Sequence, residues 1–213
     1  MQSTQRTRIR KTPDGRRAEI AVAARAMALE EGLQSVTQRA VAGQASIAPA
    51  LVAHYVGSMD ELVAETFEAI VGDELDEVAA LLEAMPDPLA RIAGLIETLL
   101  GGSRHDVTLV WVQAWSAGRR NEALADAVRR QMDNWQALIR DVIDEGVEAS
   151  VFRCDDPAGA AWHLLAMVDG LNAHALVRWG APAAQETAAR RAAEALLGLD
   201  AGSLARTAEA GTG

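Results

Sequence analysis

The 213-residue chain has a single cysteine, Cys154, so it builds no intramolecular disulfide framework and suits a reducing compartment. Lysine is almost absent as well. Lys11 stands alone against 19 arginines. With the abundance of alanine, that bias reads as codon usage in a GC-rich genome. The arginines near the start are therefore weak evidence for a transit peptide. Residues 1–19 are polar and basic, which predicts no secretory leader. No apolar run reaches the roughly 18 residues that signal a membrane-spanning helix. The one long uncharged stretch, 40–59, is broken by Gly43, Gln44, Ser46, Pro49, His54, Gly57 and Ser58. A soluble, cytoplasmic protein is the expectation. Strand signals are scarce too, because β-branched and aromatic residues rarely alternate with polar ones. Half the residues are apolar and 23% are charged, a globular balance in a chain long enough to bury a core unaided.

What the sequence does have is helical periodicity, almost throughout. A first helix is predicted over 14–31, with Ile20, Ala24 and Met27 on one face and Gly32 as its stop. Two short helices follow, near 37–44 and 49–56. Ser58 and Glu61 then form a capping box, S-x-x-E, that opens a longer helix. Its stripe is Leu62, Phe67, Ile70, Val71, Leu75, Val78 and Leu82, and Pro86 and Pro88 end it. Five more helices are predicted near 89–99, 107–117, 121–148, 157–179 and 184–197. The expected fold class is all-α, with about nine helices and no sheet. The small, polar stretch 201–213 is expected to fray.

Charge is unevenly spread. The formal total of −10 argues at first against nucleic acid. Residues 1–57, however, hold eight basic and four acidic side chains, a net of +4, and residues 58–213 carry −14. A small basic module thus precedes a larger acidic one, an asymmetry that points to nucleic-acid contact at one end. We expect a nucleic-acid-contacting domain over 1–57, a larger helical domain over 58–200, and a tail over 201–213. The stretch 16–63 has the layout of a three-helix reader: a supporting helix, a short helix, a tight turn and a second short helix. The small, uncharged residues from Ala48 to Tyr55 permit close approach to a groove. Thr37 can cap its helix and touch phosphate.

The acidic module holds all five tryptophans: 111, 115, 135, 162 and 179. Trp111 and Trp115 are four apart and share a helix face. Such rings either fill a core or wall a ligand cavity. With nearby carboxylates they could hold a cation against a ring face. The pocket candidates are Trp111, Trp115, Trp135, His163, Met167 and Asn172. Asp169, beside Gly170, could instead satisfy backbone amides.

At these residues the chain resembles the TetR family of one-component transcription regulators. The matching pieces are Arg17-x-x-Ile20, Ala23-Ala24, Glu31-Gly32, Thr37, Val41-Ala42, Ala45-Ser46-Ile47, and the run from His54 to Leu62. The His-Tyr-x-Gly pattern is most similar to the choline-responsive BetI branch. Trp111-x-x-x-Trp115, the stretch from Asp144 to Arg153, Asp155-Asp156-Pro157 and Asp169-Gly170-Leu171 agree with that branch. The resemblance implies a homodimer, joined through the last two long helices, that leaves a palindromic operator when a small molecule binds. It also implies roles for single residues. Thr37, Gln38, Arg39, His54 and Tyr55 would position phosphates, with Pro49, Ala50 and His54 at the groove. Arg6, Arg8, Arg10 and Lys11 would form a basic arm. The alternatives are a packed core ring for Tyr55, a solvated face for Arg39 and a merely solubilising arm.

Four departures stand out. Met59 replaces the usual Lys, Ser46 the usual turn Gly, Ala48 the usual capping Ser, and Val56 the usual Phe. The recognition positions carry no bidentate donor, so apolar contact with thymine methyls and DNA shape would have to do more of the reading.

Catalytic signatures are missing. No HExxH, G-x-S-x-G or Gly-rich phosphate loop occurs. Cys154 has no base that the sequence places beside it. His163 and His174, about 16 Å apart along a helix, are too far apart for one metal. No enzyme activity, metal or cofactor is expected. The competing reading is a helical small-molecule-binding or scaffold protein whose DNA binding is weak or lost. Met59 and the uncharged recognition helix keep it open.

Overall fold

A computed structural model of the chain describes residues 12–102 and 104–205. Among the described residues there are nine full α-helices, one 3-10 turn, a short helical stretch at 203–205 and no strand. The helices are α1 (Pro13–Glu31), α2 (Gln38–Gln44), α3 (Pro49–Tyr55), α4 (Met59–Glu83), α5 (Pro88–Leu100), α6 (His105–Gly118), α7 (Glu122–Glu148), α8 (Pro157–Leu176) and α9 (Pro182–Leu196). Their starts follow from side-chain caps. Ser58 Oγ accepts from the Glu61 amide at 3.0 Å, Asp87 from Ala90 at 2.8 Å, Asn121 from Leu124 at 2.9 Å and Asp156 from Gly159 at 2.9 Å. Proline stands in the first turn of α1, α3, α5, α8 and α9, where its missing N–H costs nothing.

α4 runs through the middle. Phe67, Ile70, Val71, Val78 and Leu82 are all buried on it. It packs mainly on α7, whose Leu124, Ala127, Ile139 and Ile143 are fully enclosed. α1 lies against α4 and joins α2 and α3 to it through Ile20, Ala24, Ala28, Val41 and Val52. α5, α6 and α8 close the bundle, and α9 packs on α5 and α8. Gly146 on α7 is a necessary close approach: a Cβ there would lie 2.0 Å from the buried Phe152 ring. No described helix is long and apolar enough to cross a membrane.

Two expectations change at the C-terminal end. The helix predicted to reach 179 stops at Leu176, where Arg178 turns the backbone with φ +57°. Residues 201–205, expected to fray, are packed. Leu204 is fully buried, its amide donates to Glu194 at 3.0 Å, and its carbonyl accepts from Arg190 at 3.2 Å. A lone leucine among small polar residues is a weak signal, and only the buried Glu194 and Arg190 give it a seat. The remainder, 206–213, lies outside the described residues, as do Arg6, Arg8, Arg10 and Lys11.

The turn between α2 and α3 carries local strain. Ser46 adopts φ +53°, the left-handed region in which a Cβ is unfavourable. Ser46→Gly should raise stability by about 0.5–1 kcal/mol and Ser46→Val should lower it, read by thermal melts. Equal melting temperatures for all three proteins would show that the turn is unstrained.

Candidate functional site

Two regions carry chemistry. The first is the outer face of α2 and α3. Pro49, Ala50 and His54 are exposed on α3, while Val52 on its opposite side is fully buried. Thr37 is spent in part as the α2 cap, accepting from the Ala40 amide at 3.3 Å. Gln38 donates to the Pro49 carbonyl at 2.9 Å and so sets the angle between the two short helices. Arg39 is exposed and makes no hydrogen bond or ion pair among the described residues. Tyr55 is half-buried against the core, with its ring meeting His54 edge-on at 4.9 Å. Its carbonyl accepts from Arg17 at 3.2 Å. Met59 is half-buried against the core at the start of α4. Ala48 leaves α3 without a side-chain cap.

This unit is tied to the body at two helices. Arg25 of α1 pairs with Asp73 of α4 at 2.8 Å and donates to the Ala69 carbonyl at 3.0 Å. Gln113 of α6 accepts from the Gln34 amide at 3.1 Å.

The second region is a narrow cavity between α4, α5, α6, α7 and α8, with about 470 Å³ of atom-free space. Its enclosed part is small, about 40 Å³, the larger figure including space open to solvent. Its walls are Glu74, Leu99, Arg104, Thr108, Trp111, Met132, Trp135, Leu165, Val168, Asp169 and Asn172. Trp111 is held edge-on by Phe67, with ring centres 5.0 Å apart at 87°. The indole N–H of Trp135 is buried and finds no acceptor in the protein.

The electrostatics are unbalanced. Glu74 is buried, and its partner is Arg104, 3.3 Å away. Burial raises the Glu74 pKa, while the Arg104 charge and hydrogen bond oppose the rise, with a smaller contribution from the Trp111 N–H. Asp169 has no hydrogen bond or ion pair among the described residues. Burial, and then the nearby Glu74 charge, push it up to about 7. One arginine and two carboxylates therefore line a cavity walled by tryptophan.

Of the six pocket candidates, Trp111, Trp135 and Asn172 line the cavity. Trp115 stands behind it, tilted against Trp111 with ring centres 5.7 Å apart. His163 is exposed, bonded to the Gly159 carbonyl at 2.7 Å and edge-on to Trp162, so it leaves the cavity altogether. Met167 packs against the core on a different face of α8 from Asp169. Sequence reasoning missed Glu74, Arg104 and Met132, and left Asp169 undecided. A signal for Glu74 was present: it falls four after Ile70 and four before Val78, on a buried stripe. For Arg104, just ahead of α6, there was none. No cluster of three or more metal-ligating side chains occurs among the described residues.

A family model described as "BetI-type transcriptional repressor, C-terminal" matches residues 88–198. The chain belongs to the BetI-type transcriptional repressors. A similar relative is the HTH-type transcriptional regulator BetI 2 of Chromohalobacter salexigens. It is 30% identical over 162 residues, covering 73% of this chain and 75% of that protein. Among solved structures, a TetR transcription regulator from Haloarcula marismortui superposes with a TM-score of 0.71 at 22% identity, over 87% of this chain and 97% of that one. A protein from Saccharomonospora viridis, solved in complex with choline, gives 0.73 at 24% identity, over 84% and 95%. These likenesses carry the fold. Family membership makes the BetI-type chain a ligand-responsive, DNA-binding regulator.

The Asp169 shift has a testable sign. A carboxyl whose folded pKa is raised favours the folded state most below its unfolded value of 3.8, and that advantage is lost as pH rises through about 7. Asp169→Asn should therefore melt close to the wild type near pH 4, and increasingly above it between pH 4 and 7. A constant difference across that range would mean that Asp169 is an ordinary exposed carboxylate.

Proposed function

We propose that this BetI-type regulator is a homodimer that holds a palindromic operator with two reader units and releases it when a compact organic cation enters the cavity. The observation that carries the reading is the cavity itself: tryptophan walls, an unpaired Asp169, and one arginine against two carboxylates. A positive group against an indole face, desolvated and beside a carboxylate, is favourable, and a quaternary ammonium needs no hydrogen-bond acceptor of its own. The choline in the Saccharomonospora viridis protein belongs to the same chemical class.

The route to DNA is short. α4 and α6 both line the cavity and both bind the reader unit, through Arg25–Asp73 and Gln34–Gln113. A ligand that favours one arrangement of α4 against α6 alters the spacing of the two reader units. Ligand and DNA then weaken each other reciprocally. Trp162 is 57% exposed, Val177 76% and Trp179 65%, all on or just after α8. Large apolar groups so exposed suit burial against a second copy. Two-fold symmetry then matches a palindromic site.

Among the described residues of the reader, Arg39 is the free cation available for phosphate, with Thr37, His54 and the Tyr55 hydroxyl as further phosphate contacts. Pro49 and Ala50 present methylenes and a methyl to thymine edges. Gln38 acts by orienting α3. Arg10 and Lys11 add positive charge to the reader's end of the sequence. The division at residue 57 separates a basic reader from an acidic body that avoids phosphate, and the setting is the cytoplasm. The chemistry is binding and release, without catalysis.

The direct test is retardation of duplex DNA from the gene's own upstream region. Retardation should weaken as salt rises and vanish on addition of choline. Arg39→Gln should lower affinity and reduce the salt slope by about one. Tyr55→Phe should lower affinity without changing the melting temperature. Absence of sequence-specific retardation, with choline still binding, would favour a ligand-binding protein that has lost its operator. The uncharged α3 and Met59 are the features that would explain it.

A further inference from the structure

We propose that Arg104 is a resident counter-ion of the cavity: its guanidinium holds Glu74 while the cavity is empty, swings out to Glu77 when a ligand cation enters, and so sets the ligand concentration at which the repressor responds. This rests on the cavity being the effector site.

The geometry is that of a pair made to be exchanged. Arg104 reaches Glu74 with Nη1 at 3.3 Å and Glu77 with Nη2 at 3.5 Å. Both distances are long for charge-assisted bonds, which favour about 2.7–2.9 Å, and neither contact is a two-toothed fork. The Arg130–Glu68 pair elsewhere in the protein is such a fork, with Nε donating to Oε1 at 3.2 Å and Nη2 to Oε2 at 3.1 Å. Glu74 and Glu77 lie three apart on α4 and share one side of the helix, yet Glu74 is buried and Glu77 is 70% exposed. They offer the same guanidinium an inner and an outer carboxylate, one helical turn apart.

The backbone of Arg104 stays fixed while its side chain is free to choose. Its carbonyl accepts from the Thr108 amide at 2.9 Å and from the Thr108 hydroxyl at 3.0 Å. Its side chain does not cap α6. A guanidinium cannot lose its charge near neutral pH, so a second cation beside Glu74 has to move Arg104 rather than neutralise it. Outward movement keeps its charge paired with Glu77 in water, where pairing is weak and the ion is well solvated. The ligand cation then inherits Glu74 and Asp169 in the dry interior. The exchange also moves the tie between the start of α6 and α4 from Glu74, one residue from the Asp73 that anchors α1, out to Glu77.

Titration calorimetry on the full chain separates this from the cavity reading. Choline and its uncharged isostere 3,3-dimethyl-1-butanol are the probes. Arg104→Gln should bind choline about tenfold more tightly than the wild type and leave the isostere unchanged, because only a cation competes with the guanidinium. The variant should also release DNA at a correspondingly lower choline concentration. Glu77→Gln, at an exposed position where folding is not at risk, should weaken choline binding severalfold. That effect should shrink in the Arg104→Gln background. Unchanged or weaker choline binding in a folded Arg104→Gln protein overturns the proposal, as does an equal Glu77→Gln effect in both backgrounds. If choline binds the wild type and Asp169→Asn abolishes it, such a result removes the role of Arg104 and leaves the cavity standing. If the wild type binds no choline, both fall.

Discussion

A buried carboxylate on the central helix constrains the rest of the molecule. α4 must be apolar to hold α1 on one side and α7 on the other, and Phe67, Ile70, Val71, Val78 and Leu82 make it so. Glu74 interrupts that stripe. An ionised carboxylate cannot be left alone among such neighbours, so Arg104 is drawn inward to meet it. Arg104 immediately precedes α6, the helix that carries Trp111 into the cavity wall. The cavity is what remains between Glu74, the tryptophans and Asp169. Its polar character is a consequence of placing a charge in a core, and its usefulness follows from incomplete neutralisation.

The two jobs of the protein are kept apart by charge and joined by helices. Residues 1–57 carry a net +4, and the −14 of residues 58–213 would be repelled by phosphate. Contact between them is mostly apolar, through α1 on α4, with Arg25–Asp73 and Gln34–Gln113 as polar ties at either side. In the proposed response a change at the cavity would pass to the reader through whole helices, because packed cores do not deform smoothly.

Much of the fold was legible beforehand because its signals are local. Ser58, Asp87, Asn121 and Asp156 each cap within three residues, and the prolines mark first turns. The reader layout, the turn at Ser46 and the exposed face of α3 also follow from short stretches. The site was legible only in part. Trp111 and Trp135 could be proposed as rings in an acidic module, yet Trp115, with the same spacing signal, stands behind the cavity. His163 shares α8 with Asp169 but sits on its outer side. Spacing alone defines a face of a helix and leaves open what that face meets.

The sequence by itself determined which segments are helical, where they start, the family to which they belong and the split of charge between the two ends. Each of these depends on neighbours within a turn or two, or on a simple sum. Tertiary structure alone decided that Glu74, Arg104 and Asp169, from three different helical regions, share one cavity. It also decided that Leu204 is core and that one carboxylate is left without a partner. Those outcomes depend on how long elements cross in space. A pairing of charges 30 residues apart, or a carboxylate facing it from 95 residues away, leaves no trace in local order.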